Sequence, residues 1–458
     1  MKEKRKTVYE YPTLPGISSV SGMAGMPLVW EYLLEYARTK YEQGGEREQI
    51  QIYLDEVLET IQKSIEKIRA LPEDPLLVQQ EPDQLEEILR CRPEKRVECS
   101  PVTDESFYFR KIKGAVYGRF AGCTLGAPVE FWSVEEMKEW AAYCGQAFPP
   151  DEYWRKTKKP GDFRYEVSRF EEYELEKIDK VPVDDDVTYT VLGWLILEKY
   201  GLEFTTEDIS NIWKKYLPRA CTAEEVVLNN LRNNISAEKA ADVDNPYVQW
   251  IGADIRADTW GYVSPGAPQK AACLAYRDAR LTHRRNGIYG EMYFSAVIAA
   301  AFSVGGEGDD LTMEEVIQAG LCEIPQNCLL AKDIRWALDS ASEIMDYKAA
   351  RKAAEEHFGG MSGVHTNFNA CLTIWGLLIG KDDFTKVIGE ITAMGYDNDC
   401  NAATAGSIFG AYYGIHKIPE KWYRCFHNKV YTYLNGYRYL KIDRLCERFW
   451  YFAKINSQ

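Results

Sequence analysis

The sequence predicts an all-α protein. Apolar residues recur at helical spacing through most of the chain, alternating strand patterns are scarce, and two glycine ladders of period four stand out. Leu28, Trp30, Leu33, Leu34 and Tyr36 begin one amphipathic pattern, and Ile50, Ile52, Leu54, Val57, Leu58, Ile61, Ile65 and Ile68 continue it, so residues 28–70 read as helix. Pro72, Pro75 and Pro82 then punctuate the chain, and the polar stretch 90–105 reads as a linker. This divides the chain into a helical N-terminal extension over 1–105 and a main domain over 106–458. In the main domain, helices are expected over 187–200, 314–320, 331–347, 368–380, 383–394 and 401–413. Residues 145–182 read as a long aromatic and charged loop, and 243–268 as a second loop.

The ladders are Gly114, Gly118, Gly122 and Gly126, and Gly406, Gly410 and Gly414. Residues four apart share one helix face, and each glycine costs about 1 kcal/mol of helix propensity. Close backbone packing is the compensation, so both segments are expected to be central helices. A membrane origin for the first ladder is excluded by Arg119 within it.

With 458 residues and 46% apolar content, the chain can build a sizeable core. Its formal charge of −15 argues against a nucleic-acid backbone or an anionic membrane as the main partner. The 12 cysteines are scattered without C-x-x-C pairs, which reads as reduced thiols in a cytoplasmic protein rather than a zinc site or disulfide framework. The N-terminus MKEKRKTVYEYP is basic but lacks an apolar segment behind it, so no signal peptide is expected. No apolar run approaches the roughly 18 residues of a membrane span.

Two acidic clusters carry the chemistry. Asp184-Asp185-Asp186 precedes a strongly apolar helix, and Asp397-Asn398-Asp399 precedes a helix of small residues. Adjacent anions repel, and helix N-termini offset only part of this. Buried charge needs a partner, and no Arg or Lys lies close in sequence to the second cluster. A shared divalent cation therefore fits, and oxygen-only ligands favour Mg²⁺ or Mn²⁺. An EF-hand is excluded, because Ala402 and Ile408 stand where its glycine and glutamate belong. The D-D-x-x-D spacing of isoprenoid diphosphate enzymes is also missing. Glu130, flanked by apolar residues and aromatics after the first ladder, is a candidate acid–base group.

Together these segments resemble the ADP-ribosylglycohydrolase family. The first ladder running into Gly126-Ala127-Pro128-Val129-Glu130 matches its opening helix. Asp184-Asp185-Asp186-Val187 matches its T-D-D-T-like motif, and Gly395-Tyr396-Asp397-Asn398-Asp399-Cys400 its closing G-G-D-T-D-T motif. Thr282-His283 and His365-Thr366-Asn367-Phe368-Asn369-Ala370 match its two intervening elements. Asp184 and Val187 replace threonines of the pattern, and Cys400 replaces another. Val187 has no coordinating atom, and a thiol is a poor ligand for Mg²⁺.

The resemblance implies a compact helical bundle with a central dinuclear metal site. It implies Mg²⁺ or Mn²⁺ held by Asp184, Asp185, Asp186, Asp397 and Asp399, with Glu130 or Asp185 orienting a water. The implied reaction is hydrolysis at the ribosyl C1 of an ADP-ribosylated substrate. His283, Tyr289, His365 and Asn369 become candidates for binding diphosphate or adenosine, and Asp258, Gly261 and Tyr262 form a candidate substrate loop. A catalytically degenerate module that binds free ADP-ribose is the alternative.

Overall fold

The computed structural model describes residues 9, 27–100, 104–305 and 311–457. The basic N-terminal stretch, apart from Tyr9, lies outside the described residues. Within them the fold is helical, with two two-stranded antiparallel ribbons as its strands. No described helix is long and apolar enough to cross a membrane.

Two central helices, Glu105–Gly126 and Asn398–Tyr413, are buried along most of their length and pack directly on each other. A methyl group at Gly118 would lie 2.2 Å from the Gly406 carbonyl oxygen, and one at Gly122 would lie 2.0 Å from that of Ala402. Gly114 faces Gly410 in the same way, so the two ladders run antiparallel, main chain on main chain. A Cβ at Gly126 would lie 2.4 Å from the Asp399 Cα. The close contact thus reaches the start of the second helix.

Around this pair lie Asp185–Tyr200, Asn286–Ala301 and Thr366–Gly380, also largely interior. Every residue of Asn286–Ala301 is buried, as expected of a helix apolar all round. Amphipathic helices such as Thr206–Tyr216, Thr222–Arg232, Pro268–Ala279 and Ile442–Asn456 cover the outside.

The expected helix over 331–347 ends at Ser340; a 3-10 turn at Ala341–Glu343 intervenes and a new helix starts at Tyr347. The expected loop over 243–268 contains a 3-10 segment, Ile251–Arg256, running into the helix Ala257–Tyr262. Buried charge explains this. Arg256 is paired with Glu224 at 2.6 Å and Asp278 at 3.2 Å, which pins the segment inside.

The extension forms helices Pro27–Glu42 and Arg47–Arg69, separated by a turn at Gly44, whose φ of +85° favours glycine. The second of these buries none of its residues. The segment after it is docked on the main domain. Ile88 is fully buried, Glu81 pairs with Arg285 at 2.9 Å, and the Tyr289 hydroxyl donates to the Pro82 carbonyl at 2.6 Å. In the polar stretch that follows, Arg92 and Arg96 both contact Glu323 at 2.5 Å.

The ladder contact makes Gly122→Ala a sharp test. The substitution gains about 1 kcal/mol of helix propensity, but overpacking costs about 1–3 kcal/mol or more. Thermal denaturation is expected to show a lower melting temperature, and an unchanged one would contradict a backbone-tight interface. For the extension, a chain beginning at Glu73 is expected to melt only slightly below the full chain, since it gives up the Tyr9 contacts to Asp333 and Phe358 and the exposed Arg69–Asp244 pair. One beginning at Thr103 is expected to fold yet melt measurably lower, because it loses the Glu81, Arg92 and Arg96 contacts.

Candidate active site

Both acidic clusters sit at helix starts that converge at one end of the glycine helices. Asp184 is the N-cap of Asp185–Tyr200, its Oδ1 accepting from the Asp186 N–H at 3.1 Å. The approach to it is fixed from two sides. The Val181 N–H donates to the Lys429 carbonyl at 2.9 Å, and the Val183 N–H donates to the Ser168 hydroxyl at 3.0 Å. Asp397 stands at the N-cap position of Asn398–Tyr413, but its carboxylate caps nothing. Glu130 follows the 3-10 turn Ala127–Val129, and the Phe131 N–H donates to the Tyr396 carbonyl at 2.9 Å, tying the Glu130 segment to the second cluster.

The clusters share their ligand atoms. Possible donor atoms lie within 4.8 Å of one another in four groups: Cys123, Asp184 and Asp399; Asp186, Asp399 and Cys400; Glu130, Asp397 and Asp399; and Asp184, Asp185 and Asp186. Asp399 recurs in most of these groups and is the hub of the site.

Guanidinium groups neutralise part of the charge. Arg119, buried in the first glycine helix, contacts Asp186 at 2.9 Å and Asp258 at 2.6 Å. Arg164, on the ribbon Phe163–Arg164/Ser168–Arg169, contacts Asp184 at 2.6 Å, Glu130 at 2.6 Å and Asp399 at 2.7 Å. The sequence reading missed Arg164, because it searched for a cation near the clusters along the chain. Among the described residues, Asp186 Oδ2, Asp397 Oδ1 and Asp399 Oδ1 are nevertheless buried without a hydrogen-bond partner. Unpartnered buried carboxylate oxygens on neighbouring residues fit a hard cation.

The protonation tendencies agree. Burial, tempered by Arg119, raises Asp186 to about 7, and burial with the nearby Glu130 raises Asp397 to about 8. Burial and then Asp184 and Asp186 push Asp185 well above the usual carboxylate range. Burial and Glu130 do the same to Asp399.

Beside the clusters opens a cavity of about 300 Å³. Glu130, Asp185, Asp397 and Cys400 line its acidic side, and Phe131, Tyr165, Tyr189 and Trp250 bring aromatic surface. The Trp250 wall is zipped to the start of Thr366–Gly380: the Ile251 N–H donates to the Val364 carbonyl at 2.9 Å and the Thr366 N–H to that of Gln249 at 3.1 Å.

Several expected substrate contacts lie elsewhere. Asp258, Gly261 and Tyr262 belong to a buried helix, with Asp258 on Arg119, the Tyr262 hydroxyl on Ser407 at 2.7 Å, and Gly261 against Ile298. The open-loop reading of this segment is thereby corrected: its glycine serves helix packing. Tyr289 anchors the extension. His283 is fully buried against Thr282, at 2.7 Å, and kept neutral by burial and Arg256. It contacts Glu224, which does line the cavity, at 3.8 Å. His365 caps Thr366–Gly380 beside the Trp250 wall, and burial lowers it to about 4. Asn369 donates to the Gly363 and His365 carbonyls at 2.9 and 3.1 Å and accepts from Asn401 at 2.8 Å, bracing the wall against the second glycine helix. Val187 is fully buried.

The fold and site define a class: a helical protein with a cluster of buried carboxylates at paired helix N-termini, beside an aromatic-walled cavity. The profile of the ADP-ribosylglycohydrolase family matches residues 104–454. The chain belongs to that family. No curated protein matches it. Among solved structures, one described as an ADP-ribosylglycohydrolase-related protein complex is similar at a TM-score of 0.46 and 16% identity, covering 77% of this chain and 100% of that one.

If the unpartnered oxygens bind a cation, added Mg²⁺ or Mn²⁺ should raise the melting temperature of the wild type. Asp399→Asn, which keeps the volume but removes the hub carboxylate, should abolish that increase. An equal metal-dependent increase in both proteins would contradict a site centred on Asp399.

Proposed function

We propose that the chain is a metal-dependent hydrolase that cleaves the ribosyl C1 bond of ADP-ribosylated substrates. The observation that supports this most is the convergence of the two aspartate clusters on Asp399 beside a cavity with aromatic walls. Asp186, Asp397 and Asp399 would hold Mg²⁺ or Mn²⁺ through their unpartnered oxygens, with Asp184 and Asp185 alongside. When bound, such an ion supplies a position for the ribose hydroxyls and lowers the pKa of water.

The chain's own groups divide the remaining work. Asp185 is half-buried, lines the cavity, and has a raised pKa, which suits a carboxylate to exchanging protons near neutral pH. It takes the proton of the water that attacks C1. Glu130, on the same side of the cavity, orients the sugar hydroxyls. Positive charge develops on the ribose ring, as in glycoside cleavage generally, and the surrounding carboxylates stabilise it. Trp250, Tyr165 and Phe131 offer flat surfaces on which an adenine or other planar group stacks. His365 and Asn369 shape the Trp250 wall from behind, and His283 supports Glu224.

A second reading, an ADP-ribose binder without turnover, is favoured by Arg164 standing among the carboxylates and by the buried methyl groups of Val187. Turnover separates the two. A panel of defined ADP-ribosyl substrates, assayed with Mg²⁺ and with Mn²⁺, is expected to give hydrolysis on at least one. Asp185→Asn should lower kcat about 10²- to 10⁴-fold, the typical contribution of a positioned acid–base group, without removing the metal-dependent increase in melting temperature. Val187→Thr should change turnover by less than about tenfold, the lower edge of the effect of residues behind metal ligands. A wild type inert on every substrate but active as Val187→Thr would establish the binder reading.

A further inference from the structure

Arg164 sits among the acidic residues as a cation would. Its Nε, Nη1 and Nη2 reach Asp184 Oδ2, Glu130 Oε2 and Asp399 Oδ2 at 2.6, 2.6 and 2.7 Å. Each oxygen belongs to a carboxylate that also appears in a group close enough to hold a metal ion. The side chain is 11% exposed, and its guanidinium carbon lies 5.2 Å from the centre of the Tyr165 ring. Tyr165 in turn packs on Tyr433, with ring centroids 5.2 Å apart. The ribbon is fastened to the aspartate helix through the bond from the Val183 N–H to the Ser168 hydroxyl, one residue before Asp184. The guanidinium is thus built in from the cluster it neutralises, from its own strand and from the aromatic wall.

Other carboxylate oxygens of the clusters have no such partner. Asp186 Oδ2, Asp397 Oδ1 and Asp399 Oδ1 are buried and unpartnered among the described residues. Asp399 accordingly gives one oxygen to the guanidinium and keeps the other unpartnered. A carboxylate shared in this way links two positive centres, and lone pairs that accept from N–H groups are not available to a second ion.

We infer that Arg164 permanently holds one of two cation positions, so that the site takes a single divalent ion, bound on Asp399 and the acidic residues grouped with it. This rests on the metal-dependent reading above and narrows it. It replaces the expectation of two ions with one ion and one guanidinium.

Mn²⁺ bound per full-length chain, counted by calorimetric titration and by electron paramagnetic resonance of free Mn²⁺, tests it. One ion is expected for the wild type and for Arg164→Lys, which keeps a positive charge. Two are expected for Arg164→Met, which removes it and bares Glu130, Asp184 and Asp399. Two ions in the wild type would overturn the inference while leaving a metal-dependent hydrolase standing. One ion in both the wild type and Arg164→Met would also overturn it. No ion in either protein would overturn the metal-dependent reading itself. Because the wild-type count alone can refute the inference, the test stands even if Arg164→Met fails to fold.

Discussion

The contact between the two glycine helices is the constraint on which the site depends. With Gly118 on Gly406 and Gly122 on Ala402, the backbones are closer than any pair of side chains would allow. This fixes the two helices in register as well as in distance. Because the helices are antiparallel, the C-terminus of one meets the N-terminus of the other. Glu130, just beyond Gly126, is thereby delivered beside Asp397 and Asp399. A shift of one helical turn, about 5.4 Å, would separate those carboxylates. The low helix propensity of the ladders is the cost of that register.

The converging N-termini bring an electrostatic problem with them. Helix dipoles and N-cap hydrogen bonds favour carboxylates at these positions, but they cannot balance Glu130, Asp184, Asp185, Asp186, Asp397 and Asp399 together. Arg119 and Arg164 come from different elements. Arg119 rises from within the first glycine helix and also accepts the charge of Asp258, and Arg164 descends from a surface ribbon. Burial raises the proton affinity of Asp397, which neither guanidinium contacts, and also that of Asp186 and Asp399 despite their arginine partners. A proton or a bound cation would complete the balance.

Local patterns made much of this readable from the sequence. A glycine every fourth residue and a run of aspartates before an apolar helix are visible within a few residues, so the central helices and both clusters could be located. The ordered motifs gave the family. Arg164 was invisible for the opposite reason. It lies in an aperiodic loop, and its partners Asp184, Glu130 and Asp399 are 20, 34 and 235 positions away. Nearness along the chain to an acidic cluster therefore does not mark the cation that pairs with it. The segment 258–262 failed through its glycine: Gly261 reads as a flexible loop residue, but its missing side chain makes room for Ile298 and the Ser295 carbonyl. Tyr289, a candidate for binding diphosphate or adenosine, instead supports the Pro82 segment. That segment belongs to the extension, which a motif confined to the main domain cannot reveal.

Asp184 and Arg164 are best understood as one feature. A carboxylate at the N-cap already satisfies its own helix through the Asp186 N–H, as a threonine there would through its hydroxyl. The additional property of aspartate is charge, and Asp184 directs its second oxygen to Arg164 Nε. The arginine then uses its two remaining nitrogens on Glu130 and Asp399, joining three segments that are distant in sequence. Removing either partner alone would leave a buried charge exposed to its neighbours, which is costly, so the pair must be gained or lost together. The same coupling links the cavity to the carboxylate clusters. Tyr165, the residue after Arg164, forms part of the aromatic wall, so any displacement of the guanidinium would also move the wall of the cavity.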